Sequence, residues 1–183
     1  MDLPLDLLQD PDTEIRLVAF DESHLPALAP LFLDLPTLRL YLPTLARPLN
    51  EAQLRGMLGD WHDATTQFVF TIFFKNGIAG ICNLEAVDWT NRSAEAGVAL
   101  LPGDNRGHGI ARASMKLLIG FCFREMGLHR LQARIQEGND RSIHLFESLG
   151  FVQEGMLREA VFRSGHWKGL RMYSLLDRDF AAL

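Results

Sequence analysis

The sequence predicts one α/β domain spanning residues 1–183. Its core is a mixed, mostly antiparallel sheet of six to seven strands, with one parallel pair and flanking helices. Three observations predict it. Residues 67–101 read as three strand-like runs joined by tight turns, an antiparallel meander. A polar, glycine-rich loop at 102–109 then opens onto a helix with an apolar face, and another strand-like run follows. Strand, helix and strand in that order imply a right-handed crossover and a parallel pair.

The elements follow in order. Glu14 to Phe20 alternates well enough for a first strand. Asp21-Glu22-Ser23 offers helix-start residues before Leu25, Leu28, Leu31 and Phe32, which share one helical face. Leu35 to Asn50 is punctuated by Pro36, Pro43 and Pro48 and reads as a loop. Residues 50–62 read as a second helix, with Leu54, Met57, Leu58 and Trp61 on one side. Asn76-Gly77, between the runs 67–75 and 78–87, predicts a hairpin whose turn residues both take positive φ. A turn at 89–92 leads to a third strand, Ser93 to Leu101. After the glycine-rich loop comes a long helix carrying Ala111, Met115, Leu118, Ile119 and Cys122, then a strand at Leu131 to Ile135. Asn139 or Asp140 can cap a further helix that ends at Leu149-Gly150. Two last strands, 151–162 and 167–176, turn around Ser164-Gly165.

Composition narrows the function. The 183 residues are 48% hydrophobic and 22% charged with a net charge of −5, an ordinary globular balance. No apolar run is long enough to cross a membrane, and no basic segment precedes an apolar one at the start. The acidic balance argues against a direct nucleic-acid binder, which needs a basic face. Cys82 and Cys122 stand alone in apolar surroundings, so they form neither a disulfide framework nor a zinc spacing, and a cytoplasmic setting is expected. The six histidines show no ligand spacing, so no metal is expected. There is no Gly-x-Ser-x-Gly elbow.

Arg106-Gly107-His108-Gly109-Ile110-Ala111 is the informative segment. A helix start carries partial positive charge and unpaired N–H groups, and so suits a pyrophosphate. Gly107 and Gly109 let the backbone approach it closely, while Arg106 and His108 add contacts from the sides. Alone, this segment reads equally as an ordinary strand-to-helix turn. One strand later come Asn139-x-x-Ser142, Phe146 and Leu149-Gly150-Phe151, which alone read as plain helix caps.

Together, in this order and separation, the two segments resemble the GNAT superfamily of acetyl-CoA-dependent N-acetyltransferases. Arg106-x-x-Gly109-x-Ala111 matches its pyrophosphate motif, and Asn139 matches the asparagine that contacts pantetheine. Asp21 to Leu28, Ala79-Gly80, Asn91 to Gly97, Glu154 to Arg158 and Tyr173 to Leu176 resemble the RimJ/RimL-like group, which acetylates N-termini of ribosomal proteins. The resemblance runs over residues 14–176. It implies a GNAT fold and acetyl transfer to a primary amine, a protein N-terminus or a small molecule, by direct attack in a ternary complex. Acetyl-CoA is then the co-substrate, held by Val98, Leu100, the 106–111 loop, Asn139 and Ser142. Homodimers are common in the group.

Three positions depart from the family pattern: Ala113 where relatives often have Glu, Phe146 where many have a catalytic Tyr, and Gly169 where the group often has Asp. An α-amine titrates near 7.7–8.0, so little base strength is needed. Strand parity puts Glu95 and Gly97 on one face and Ala96, Val98 and Leu100 on the other. Glu95 and Glu85 are the two candidate bases, each also readable as a solvated strand residue, and Glu95 is preferred. The resemblance implies that Ser142 donates to the leaving sulfur and that an N–H near Val98 meets the oxyanion, with Gly97 favouring a local bulge. Asp34, Asp60 and Asp63 lie in the segment 34–66, which with the turn at 162–168 is expected to shape the acceptor cleft. The competing readings are a non-catalytic acyl-CoA sensor, kept open by Phe146 and Ala113, and an unrelated nucleotide-phosphate binder.

Overall fold

Alternation in the central strands sorts their side chains onto two faces, and a computed structural model of the chain shows what covers each. It describes residues 8–42, 47, 49–103 and 107–180. The strands are β1 (Gln9–Asp10), β2 (Ile15–Ala19), β3 (Phe68–Phe74), β4 (Gly77–Asp88), β5 (Ser93–Leu100), β6 (Arg130–Gln136), β7 (Val152–Arg163) and β8 (His166–Leu176). The helices are α1 (Leu25–Leu33), α2 (Leu35–Tyr41), α3 (Glu51–Trp61), α4 (Ile110–Arg124), α5 (Asp140–Ser148) and α6 (Asp177–Phe180). One eight-stranded sheet runs β1-β2-β3-β4-β5-β6-β8-β7. It exceeds the expected six to seven strands by the two-residue edge β1, too short to leave a periodic signal.

On one face Phe70, Cys82, Leu84, Ala94 and Ala96 pack with Met115, Leu118 and Cys122 of α4 and Phe146 of α5. On the other, Val69, Ile81 and Ala99 pack with Leu28, Leu31 and Phe32 of α1, Leu38 of α2, and Leu54 and Leu58 of α3. Successive strand residues thus feed two separate cores.

β5 and β6 form the expected parallel pair, but it spans only Ser93↔Arg130, Ala94↔Leu131 and Glu95↔Gln132. Beyond it β5 continues to Leu100 beside β4, while β6 continues to Gln136 beside β8. The sheet therefore parts at its centre.

Three expectations need correction. Residues 35–41, read as a loop, form α2: Pro36 falls in the first turn, where a missing N–H costs nothing. The β3–β4 hairpin exists, but the residue with positive φ is Lys75 (+54°), one place before Asn76-Gly77, because Phe74 pairs with Gly77. Gly97 does not bulge; it pairs in register with Asn83. The last hairpin matches its signal, with Ser164 at φ +51° and Gly165 at +82°. So does α5, with Asn139 at its N-cap and Gly150 at φ +85° beyond its end.

Candidate active site

The parting of β5 from β6 opens a cavity of about 970 Å³. It runs from the start of α4 (Gly107, Gly109, Ala111), between Val98 and Leu100 of β5 and Ala133 and Ile135 of β6, to α2 (Asp34, Thr37, Tyr41). One end lies on the α4 face of the sheet and the other on the α2 face.

At the α4 end, Gly109 sits at the N-cap with φ +74° and no side chain caps the helix. Its carbonyl accepts from Ala113 N–H. The amides of Ile110, Ala111 and Arg112, in the first turn, have no intrahelical acceptor. Gly107, at φ +86°, precedes it in a second left-handed conformation. Among the described residues, an added Cβ on either glycine would meet no heavy atom within 4 Å. This geometry fits a diphosphate. Ile110 is only 1% exposed, its side chain in the core. His108 is exposed and does not line the cavity. Arg106 lies outside the described residues.

In the gap, backbone parity aims amides at the open side. Leu101 N–H donates to Ala79 O on β4, whereas Arg92 O accepts from His129 and Arg130 N–H on the β6 side. Hydrogen-bonding direction alternates along a strand, so Val98 and Leu100 turn their N–H groups away from β4, past the last β5–β6 pair. Asn139 and Ser142 line the opposite wall, and Asn139 Oδ1 accepts from Ser142 N–H at 3.4 Å. Phe146 lines the same wall, edge-on to Phe151 at 4.9 Å between ring centroids, and brings no hydroxyl.

At the α2 end the side chains form a polar chain. Tyr41 donates to Asn83 Oδ1 at 2.8 Å, and Asn83 Nδ2 donates to Glu85 Oε1 at 2.8 Å. Burial first, and then the Glu85 charge, hold the Tyr41 hydroxyl well above its ordinary pKa, so it stays a donor. Burial, and next the facing Glu95, raise the Glu85 carboxyl above its usual range. Glu95 is directly opposite Glu85 in register. It is held by Arg134 of β6, whose Nε donates to Oε1 at 3.0 Å and Oε2 at 2.7 Å. The structure thus brings both candidate bases to one cavity, with Glu95 already engaged.

Among the acidic residues of 34–66, Asp34 lines the cavity, accepting from Thr37 Oγ1 at 2.5 Å. Asp60 is exposed on α3 away from it. Asp63 accepts from Thr66 Oγ1 and from the Thr65, Thr66 and Gln67 N–H groups, which hold its carboxyl far below the ordinary range. Tyr41, Asn83 and Arg134 went unremarked in the sequence. Only Asn83 carried a signal, as a polar residue between apolar neighbours on β4.

A sheet parted at a parallel pair, with an uncapped helix start on one face and acids on the other, goes together in this chain with a sequence match that places it in the acyltransferase class. The acetyltransferase (GNAT) domain family matches residues 14–152, and the chain belongs to that family. It is 35% identical over 134 residues to the uncharacterized N-acetyltransferase p20 of Bacillus licheniformis, covering 73% of this chain and 70% of that one. It is 33% identical over 119 residues to the spermidine N(1)-acetyltransferase of Vibrio cholerae, covering 64% and 68%. Among solved structures, the ribosomal alpha-N-protein acetyltransferase RimL in complex with coenzyme A superposes with a TM-score of 0.82 at 25% identity, covering 90% and 94%. The RimJ/RimL-like resemblance stands on the family match and the RimL structure.

Proposed function

We propose that the chain transfers the acetyl group of acetyl-CoA to a primary amine by direct attack, and that Glu85 receives the amine proton. The cavity that crosses the parted sheet carries this reading, because it joins an anion-binding helix start to an acid-lined pocket. The Gly107–Gly109 turn and the first amides of α4 hold the diphosphate, with Arg106 expected to assist. Val98, Leu100, Asn139 and Ser142 flank the pantetheine arm and the thioester. The amine nitrogen bonds to the carbonyl carbon, the carbon–sulfur bond breaks, and the proton passes to Glu85, directly or through water. Val98 N–H is placed to stabilise the developing oxyanion. Ser142 donates to the departing sulfur; a thiol near 8.5 needs little help at neutral pH, which makes Phe146 tolerable.

Glu85 replaces Glu95 as our preferred base, since the Glu95 carboxylate is occupied by Arg134. The acceptor is a protein N-terminus, ribosomal proteins included, or a small amine, because the relatives named above act on both kinds. Two buried free thiols suit a reducing, cytoplasmic setting. Apolar side chains exposed on β7 and β8, such as Val152, Leu157, Phe162 and Trp167, support a homodimer.

The test is acceptor-dependent release of free thiol from acetyl-CoA across peptides with free N-termini, polyamines and other amines. Tight CoA binding without release favours the sensor reading, and displacement of CoA by ATP favours a nucleotide binder. Gly109→Val probes the cradle separately. Positive φ costs a side chain about 1–2 kcal/mol; the free loop relaxes to relieve that strain and CoA binding has to restore it, and about 1.4 kcal/mol is tenfold in affinity. Titration calorimetry should show CoA affinity falling roughly tenfold or more; undiminished binding places the carrier elsewhere.

A further inference from the structure

Glu85 and Glu95 stand opposite each other on β4 and β5, on the sheet face that turns to α2, and both line the cavity. Two carboxylates so placed compete for one proton and for one cationic substrate. Arg134 reaches across from β6 and takes only Glu95, at 2.7 and 3.0 Å. Glu85 receives the Asn83 amide instead, and Asn83 is itself fixed by Tyr41. The Glu95 side chain is 17% exposed and that of Arg134 37%, so their pairing is partly sheltered from water.

Resting on the acetyl-transfer reading above, we propose that Arg134 is a positioning residue: by clamping Glu95 across the sheet gap it leaves Glu85 as the carboxylate presented to the amine. Glu95 then serves as a fixed negative neighbour of Glu85 and Arg134 as a more distant positive one. Burial and the Glu95 charge make Glu85 a stronger base, and the guanidinium opposes them. The other titratable or charged groups on flanking elements are Asp34 before α2, Arg39 and Tyr41 of α2, Arg163 of β7, Arg112 of α4, Arg141 of α5, and His62 and Asp63 of the turn before β3. Asp63 is engaged by turn amides and His62 Nδ1 accepts from Val69 N–H. Neither lines the cavity.

The two ends of one ion pair should act in opposite directions, which a merely structural bridge would not do. Removing the cation with Arg134→Met should move the acid limb of kcat/KM to higher pH, and removing the anion with Glu95→Gln should move it to lower pH. Each move should be about one pH unit, the low end of what a neighbouring charge produces. Arg134→Lys should restore most of the wild-type limb. The amine titrates identically in every variant and drops out of the comparison. The same ordering should appear without turnover, in isotope-edited NMR titration of the Glu85 carboxyl, assigned with Glu85→Gln. Limbs and NMR titrations that stay together, or move in the same direction in both variants, overturn the proposal. Absence of thiol release with any acceptor overturns the transferase reading alone, because the NMR titration still decides whether Arg134 and Glu95 set the charge at Glu85.

Discussion

At Gly97 an added Cβ would lie 2.6 Å from Asn83 Oδ1 and 3.5 Å from the Tyr41 ring. The missing side chain is what lets Asn83, 4% exposed, sit between the Tyr41 hydroxyl and the Glu85 carboxylate. Gly97→Ala must push Asn83 aside, and a buried amide that loses its partners costs about 1–3 kcal/mol. The expected result is a loss of about 2–4 °C in melting temperature for each kcal/mol lost, measured by calorimetry. Turnover should fall further than stability alone explains, because Glu85 loses the donor that orients it. CoA binding at the α4 end should be unchanged. A variant that keeps wild-type turnover would show that the Tyr41–Asn83–Glu85 chain orients nothing.

At the level of elements, the acceptor end depends on α2, a short helix that does not stand alone. Arg163, at the end of β7, donates through Nε to Arg39 O at 3.1 Å and through Nη2 to Leu42 O at 2.8 Å. These bonds fasten the C-terminal end of α2, and with it Tyr41, to the last hairpin. Hydrogen bonds from a charged donor contribute about 1.5–3 kcal/mol each. Arg163→Met should therefore speed amide exchange at residues 38–42 and raise KM for the amine several-fold while CoA affinity stays constant. An unchanged exchange pattern would show that α2 is held by Leu38 and its apolar neighbours instead. This element also marks where the sequence stopped being informative. The open, uncapped start of α4 was legible because Gly107, Gly109 and the apolar helix after them are local features that follow from their order. The parallel pair was legible from the strand–helix–strand order. α2 was not, since three prolines in sixteen residues suggest a loop unless Pro36 is known to fall in a first turn. Nor was the choice between Glu85 and Glu95. Parity put Glu95 on its face, but only the folded sheet brings Arg134, 39 residues away, onto Glu95 rather than Glu85.

Across the whole molecule, the sheet has to be closed at one end for the gap between β5 and β6 to hold its width at the other. The three-residue parallel ladder supplies part of that closure. A polar tie beside it braces β6 against the last two strands: Glu154 of β7 accepts from Arg130 of β6 at 2.8 and 2.5 Å and from Ser174 of β8 at 2.7 Å, spanning three strands. The Arg130 bonds first, and Ser174 next, lower the Glu154 carboxyl from 4.5 to about 2. A carboxyl depressed on folding stabilises the native state above its unfolded value and loses that contribution as pH falls through its folded value. The window is therefore about pH 4.5 down to 2. The Glu154 side chain is 44% exposed, so solvent screening reduces the contribution to about 1 kcal/mol at most. Glu154→Gln should melt about 2–4 °C below wild type at pH 7. That difference should shrink steadily below pH 4.5, and added salt at neutral pH should narrow it as well. Because the tie sits at the closed end, far from the cavity's reacting groups, the variant should also lower turnover only in step with its loss of folded protein. A fall in kcat at temperatures where the variant remains fully folded would mean instead that the width of the gap, and so the alignment of Val98 N–H with Glu85, is set from the opposite edge of the sheet.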